Sequence, residues 1–209
     1  MPDPIDIPEE LLKAVVSISF KMESNHGLAE SPWSGHVQAQ RGQLERWSFL
    51  MKFRRFSRRE AQVAEGFFMM MEPPFGLFRM TDPSRRQPLG KATGNPILAA
   101  GVAPGARTIT TEGWTPNVPG ILKAGDWLQI GDQLSKVRTD VNSSATGTAT
   151  ISLWPKLMKT VPDETPVIVR NARGLFRFTS QPPEWEADST DRGRPYSFSL
   201  TGVQEILRD

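Results

Sequence analysis

Arg46-Trp-Ser-Phe-Leu-Met-Lys-Phe53 reads with a period of two: Trp47, Phe49, Met51 and Phe53 share one face, and Ser48, Leu50 and Lys52 share the other. That is the signature of a β-strand with one side in a core. A few residues on, the period changes. Ser57-Arg-Arg-Glu60 is a capping box, in which the Ser57 hydroxyl takes a free backbone N–H and Glu60 reaches back. Ala64, Phe67, Phe68 and Met71 then fall at i, i+3, i+4 and i+7, one helical stripe, until Pro73-Pro74 withdraws the N–H donors. The spacing predicts a helix over 58–72, the only substantial one in the chain. Helical spacing also sets the Met69-Met70-Met71 run at a buried edge of the core.

On either side of this stretch the chain is cut short by 18 prolines and 17 glycines, which favours β architecture. In Ala14–Glu23, Val16, Ile18, Phe20 and Met22 alternate with polar residues, and Gly35–Gln40 is a weaker strand carrying Val37 and Ala39. Gly76-Leu-Phe-Arg-Met-Thr81 is echoed by Gly174-Leu-Phe-Arg-Phe-Thr179, which suggests two similar edge strands flanking an insertion. The segment 83–105 lacks periodicity and reads as a crossing linker. Beyond it lie five candidate strands, at 107–111, 126–130, 134–141, 148–154 and 166–170. Five short strands with turns between them imply a small barrel or compact sandwich. Tyr196, Phe198 and Leu200 then return to the style of the first strands. The fold expected is mainly β: an antiparallel β-sandwich with one packed α-helix (1–92 plus 173–209) carrying an inserted small β-barrel or sandwich domain (93–172).

Composition narrows the function. In 209 residues there are 25 Lys+Arg, 23 Asp+Glu, two His and no Cys. Absent cysteine removes disulfide frameworks, cysteine zinc sites, iron–sulfur clusters and thiol nucleophiles together. His26 and His36 leave little for histidine catalysis or a metal centre. No apolar run approaches the roughly 18 residues of a membrane span, and an acidic start is not that of a secretory signal. Phosphate loops, nucleophile elbows and dinucleotide fingerprints are missing. No catalytic residue, metal site or cofactor is therefore assigned, and the chain is not expected to be an enzyme.

The remaining candidates have bland readings beside them. Asp126 and Asp132 could ligate a cation, but Gly-Asp is a common turn pair. Glu184, Glu186, Asp188 and Asp191 read as an acidic solvated loop rather than a glycosidase pair. Trp127 and Trp154 sit in apolar strands and read as packing. Trp114, in Gly113-Trp-Thr-Pro116, is the tryptophan expected to be exposed and the candidate glycan contact. Arg46, Lys52, Arg54, Arg55, Arg58 and Arg59 form a basic run with no acid among them, whereas Asp3, Asp6, Glu9 and Glu10 form an acidic start with no base. Three readings of the basic run stay open: a nucleic-acid contact, a solvated face, or an oligomer contact with the acidic segment of a neighbour.

Gly120-Ile-Leu-Lys-Ala-Gly-Asp-Trp-Leu-Gln-Ile-Gly131, Leu134-Ser-Lys-Val-Arg138, Gly147-Thr-Ala-Thr-Ile-Ser-Leu-Trp-Pro-Lys-Leu157, Thr165-Pro-Val-Ile168 and Gly174-Leu-Phe-Arg177 occur in that order. This order resembles tail proteins of long-tailed (siphovirus-type) bacteriophages and phage-like gene transfer particles, over about 94–179. An inserted domain favours the distal tail protein among them. The resemblance implies a structural virion protein forming a ring, of six subunits by likeness to other tail rings. Its neighbours would be the tail tube protein above and a hub or baseplate protein below, with DNA passing only in transit through the bore. It implies assembly in the bacterial host cytoplasm and a place at the virion tail tip. The alternatives are a tail tube or other minor tail subunit, or a carbohydrate-binding module in host attachment. A conduit that must release DNA quickly should not line its bore with cations. Arg54, Arg55, Arg58 and Arg59 are accordingly expected at subunit contacts, partnered by Asp3, Asp6, Glu9 and Glu10.

Overall fold

A computed structural model describes residues 3–40, 42–179, 185–190, 193 and 195–206. In chain order the elements are β1 (Ile5–Asp6), α1 (Glu9–Lys13), β2 (Val15–Ser24), β3 (Gly27–Glu30), β4 (Val37–Gln40), β5 (Glu45–Phe53), α2 (Arg58–Met71) and β6 (Phe78–Met80). There follow β7 (Gly94–Leu98), β8 (Thr108–Trp114), β9 (Trp127–Ile130), β10 (Gln133–Val137), β11 (Ala149–Trp154) and β12 (Val167–Ile168), then β13 (Gly174–Phe178), β14 (Trp185–Ala187) and β15 (Tyr196–Gln204). The fold is mainly β, as the alternating patterns imply.

One sheet runs β1-β6-β13-β15-β5-β2, with β14 also on β15, and every residue of it lies outside 94–168. A second sheet runs β12-β9-β10-β11-β8-β7 and lies wholly within that range. Its outer strands meet through the Ile97–Pro166 bridge and the Leu98 N–H to Thr165 O bond of 2.9 Å, so it closes into a barrel. Closure removes the exposed edges that an open six-stranded sheet would carry. The helix α2 covers the first sheet with Ala61, Ala64, Phe67, Phe68 and Met71. Phe67 and Phe68 meet Phe178 edge-on at ring separations of 6.2 and 5.9 Å.

Several expectations are corrected. The two echoed segments are not edge strands: β6 and β13 pair with each other inside the first sheet, Phe78 opposite Phe176. They bracket the barrel because they are hydrogen-bonded neighbours. The supposed linker contains β7, whose register breaks between Gly94 and Ile97 around Pro96. Proline is tolerated at such a bulge on an outer strand, and its lack of an N–H hides the strand from pattern reading. Gly35–Gln40 supplies β4, but it pairs only with β3 in a hairpin apart from both sheets. Val16 and Met22 are exposed: Val16 falls at the register shift between Val15 and Ser17, and β2 is the last strand of its sheet. Met69 and Met70 also face outward at 67% and 61% exposure; only Met71 is buried.

Candidate functional site

The basic run begins on β5 and ends on the first turn of α2, so its charges are set by a strand end and a helix cap. The Glu60 N–H donates to the Ser57 hydroxyl, and the Ser57 N–H donates to Glu60 at 2.9 Å. Glu60 also accepts from the Arg54 guanidinium at 2.5 Å. Arg54 and the Ser57 N–H together hold the Glu60 carboxyl down at about 2. Arg55 pairs with Asp188 at 3.2 Å, and Arg46 with Glu23 at 2.6 Å. Arg58 and Arg59 are exposed and make no ion pair among the described residues.

The acidic segment is not a free arm. Its backbone is annexed to the first sheet: the N–H groups of Ile5 and Ile7 donate to the carbonyls of Leu77 and Arg79, each at 3.1 Å. Ile7, Leu11 and Leu12 are buried. Asp6 accepts from Arg173 at 2.8 Å and Glu9 pairs with Arg86 at 3.0 Å. Thus four of the eight residues expected to meet across subunits, Arg54, Arg55, Asp6 and Glu9, have ionic partners in their own chain. Arg58, Arg59, Asp3 and Glu10 are the exposed remainder.

Trp114 corrects the expectation of an exposed ring. It is 3% exposed and lies in the barrel core. Its indole N–H donates to the Thr111 hydroxyl at 2.8 Å, so the ring's one polar atom is satisfied internally. Gly113 permits the inward turn: its φ is +84°, and a Cβ there would lie 2.5 Å from the Asn95 carbonyl. A glycan contact through Trp114 is therefore excluded.

The other tryptophans of the barrel do something the strand patterns did not reveal. Trp127 and Leu134 belong to barrel strands yet are buried in the first sheet's core. Trp47 of β5 meets Trp154 at 4.4 Å and Trp127 at 5.1 Å. The Trp127 indole donates to Asp82 at 2.9 Å, and the Lys136 ammonium lies 4.3 Å from the Trp127 ring. Burial, with Arg85 nearby, lowers the Lys136 amine, while Asp82 opposes the shift. Beside this cluster the buried Glu45 accepts from the Arg107 guanidinium and from the Lys156 N–H. Burial alone would raise the Glu45 carboxyl; Arg107 and the Lys156 N–H outweigh it and hold it below its ordinary value. The barrel is thus clamped to the first sheet by aromatic, cation–π and ionic contacts. Trp47 and Trp127 alternate with their neighbours like any core residue, so only their shared type hinted at a junction.

Asp126 is a structural carboxylate. It is buried and accepts the N–H groups of Leu89, Gly90 and Lys123 at 2.8 to 3.0 Å, tying the crossing segment to a barrel turn. Asp132 lies 3.6 Å from Arg79, and His26 accepts the Gly42 N–H at 3.3 Å. His36 is exposed. Glu184 and Asp191 lie outside the described residues, while Glu186 is exposed. Among the described residues no three His, Asp or Glu side chains are grouped to hold a metal ion, and no helix is long and apolar enough to cross a membrane. A groove of about 610 Å³ follows the seam between the N-terminal segment and the barrel. Its charges alternate in sign (Asp3, Arg79, Asp132, Lys159, Glu205), which gives no one-signed lining for a charged ligand.

Some of what the fold leaves uncovered is apolar. All eight residues of β3 and β4 are exposed. The turn between them holds Trp33 at 96% exposure. Leu28 and Val37 stand out from the same hairpin, while Val63, Met69, Met70 and Phe75 are exposed on and just beyond α2. No family model matches the chain, and no curated protein matches it.

Proposed function

We propose that this chain is a structural ring subunit at the distal end of a phage tail, joining the tail tube to the hub or baseplate around a conduit for DNA. The observation that carries the assembly part of this reading is the hairpin of β3 and β4. An isolated two-stranded hairpin is marginal in water, and this one has no core of its own and lifts a tryptophan into solvent. Such an arm suits a protein that completes its packing against another subunit. The tail assignment rests on the resemblance over 94–179 and on a mainly β fold with one covering helix and a nested barrel. The role is structural rather than catalytic. Burial of Trp114 removes the residue on which the carbohydrate-binding alternative stood.

A tail conduit needs a contact that closes on itself, because an unclosed heterologous contact gives a filament. Purified protein should form a closed ring, six subunits by likeness to tail rings, in native mass measurement and electron micrographs. Antibody against the chain should label the tail tip of particles made in the host. A species that stays monomeric or stops at a dimer, or label found only away from tails, would overturn the reading.

A further inference from the structure

Trp33 and Gly66 are both anomalous within the single chain. Trp33 sits in a turn closed by Ser31 N–H to His36 O and Gly35 N–H to Ser31 O bonds, each 2.9 Å, so the ring is presented on a defined loop. Gly66 lies in the interior of α2, where glycine is the least favourable residue short of proline. No close approach explains it: a Cβ at Gly66 would meet nothing within 4 Å. The space opens outward, and helical spacing sets the exposed Val63, Met69 and Met70 beside it, three or four residues away along the helix. Helical spacing puts Arg59, Val63, Gly66 and Met70 on one face, at i, i+4, i+7 and i+11.

We propose that Trp33 of one copy seats over the Gly66 gap of the next, the hairpin acting as a hook and α2 as its socket. The inference rests on the self-assembly reading above, but not on the tail assignment. An aromatic ring beside methionine thioethers is a favourable pairing. Charge fits as well. Glu30, on the hairpin three residues before Trp33, is exposed, and so are Arg58 and Arg59, about two turns before Gly66 and without an ion pair among the described residues. Arg59 lies about 10 Å before Gly66 along the helix, on the same face. Trp33 is 96% exposed within its own chain, and the hairpin and α2 join opposite ends of β5, so the ring that covers Gly66 comes from another copy. One tryptophan buries only about 150–250 Å² against roughly 800 Å² per partner in a stable interface, so the exposed Leu28 and Val37 must add to it.

The test uses the full chain. Trp33→Ala removes the hook and Gly66→Leu fills the socket. The first touches a solvent-exposed ring and the second raises helix propensity, so both should melt no lower than wild type by circular dichroism. Light scattering should show the concentration for assembly raised about tenfold or more in each variant. A mixture of the two keeps one good hook and one good socket, so it should give a heterodimer and nothing larger. Arg59→Glu should weaken assembly and Glu30→Arg in the same chain should restore it. If wild type assembles and either folded variant assembles like it, or if the mixture gives no heterodimer, the hook is wrong while the ring reading stands. If wild type remains monomeric at every concentration, both fail.

Discussion

At the scale of the residue, the clearest correspondence between sequence and structure is the cap of α2. Ser57 and Glu60 are three apart, and a capping box is local enough for sequence to specify it. Ser57→Ala should cost about 1 kcal/mol of unfolding free energy in a denaturant titration. Glu60 adds a pH signature. Its carboxyl is held at about 2 in the folded chain by Arg54 and Ser57, against an ordinary 4.5. A depressed carboxyl stabilises the fold fully above the ordinary value, and that contribution is lost as pH falls from there toward 2. Glu60→Gln should flatten this part of the acid unfolding curve. The same bond changes how the arginines are tested. Arg54→Glu would set two carboxylates together at the cap and destabilise the monomer itself. Arg58 and Arg59 have no such partner, and their replacement by Glu should alter monomer stability by no more than about 0.5 kcal/mol. The burial of Trp114 is not legible as periodicity, because it depends on Thr111 and on the backbone of Gly113.

At the scale of the element, legibility followed strand surroundings. Residues of β5 face the shared core on one side, Trp47 against the barrel tryptophans and Phe49 and Met51 deeper in, so they alternate cleanly and their pattern is legible. β2 has the same alternation but lies at the sheet's edge, where alternation no longer guarantees burial. β7 was invisible because a bulge with Pro96 breaks both its period and its register. The clamp between β5 and the barrel was also beyond pattern reading, since Glu45 and Arg107 are far apart in the chain. It makes a sharp prediction. Glu45 is buried and held below its ordinary value by Arg107 and the Lys156 N–H, so its contribution to wild-type stability fades as pH falls. Arg107→Met leaves burial with too little to oppose it. That should cost about 3 kcal/mol near neutral pH, toward the low end for stripping a partner from a buried pair, because Arg107 is partly exposed. The Glu45 carboxyl should then rise above its ordinary value, and its share of the pH dependence should change sign, the variant recovering stability on acidification. Unfolding titrations of both proteins across about pH 3–7 would measure this (that window brackets the ordinary carboxylate range). Parallel curves would mean that Glu45 is compensated elsewhere.

At the scale of the whole molecule, the question is whether the first sheet can stand without the barrel. Sequence alone suggests that it can, since the echoed strands bracket the insertion, and β6 and β13 do remain paired whatever lies between them. A short Gly/Ser bridge replacing 94–171 would therefore preserve every strand of the first sheet. It would not preserve the core. Trp127 and Leu134 are buried in the first sheet's core and Trp154 packs against it, so deletion uncovers Trp47 and Phe20 and strips Glu45 of Arg107. Removing even one large buried aromatic costs about 3–5 kcal/mol, a large share of the 5–15 kcal/mol that a domain has. The bridged chain should accordingly retain β structure by circular dichroism but lose near-ultraviolet tryptophan signal and bind a hydrophobic dye, as loosened packing does. Adding Trp47→Thr and Glu45→Gln to the same chain should recover a cooperative melt, because the surface left behind would then tolerate water. A bridged chain as stable as the parent would mean that the junction contributes little and the barrel is only a passenger. Failure of the repaired chain to fold would mean that the barrel is part of one indivisible core, and the nested-domain description would have to be given up.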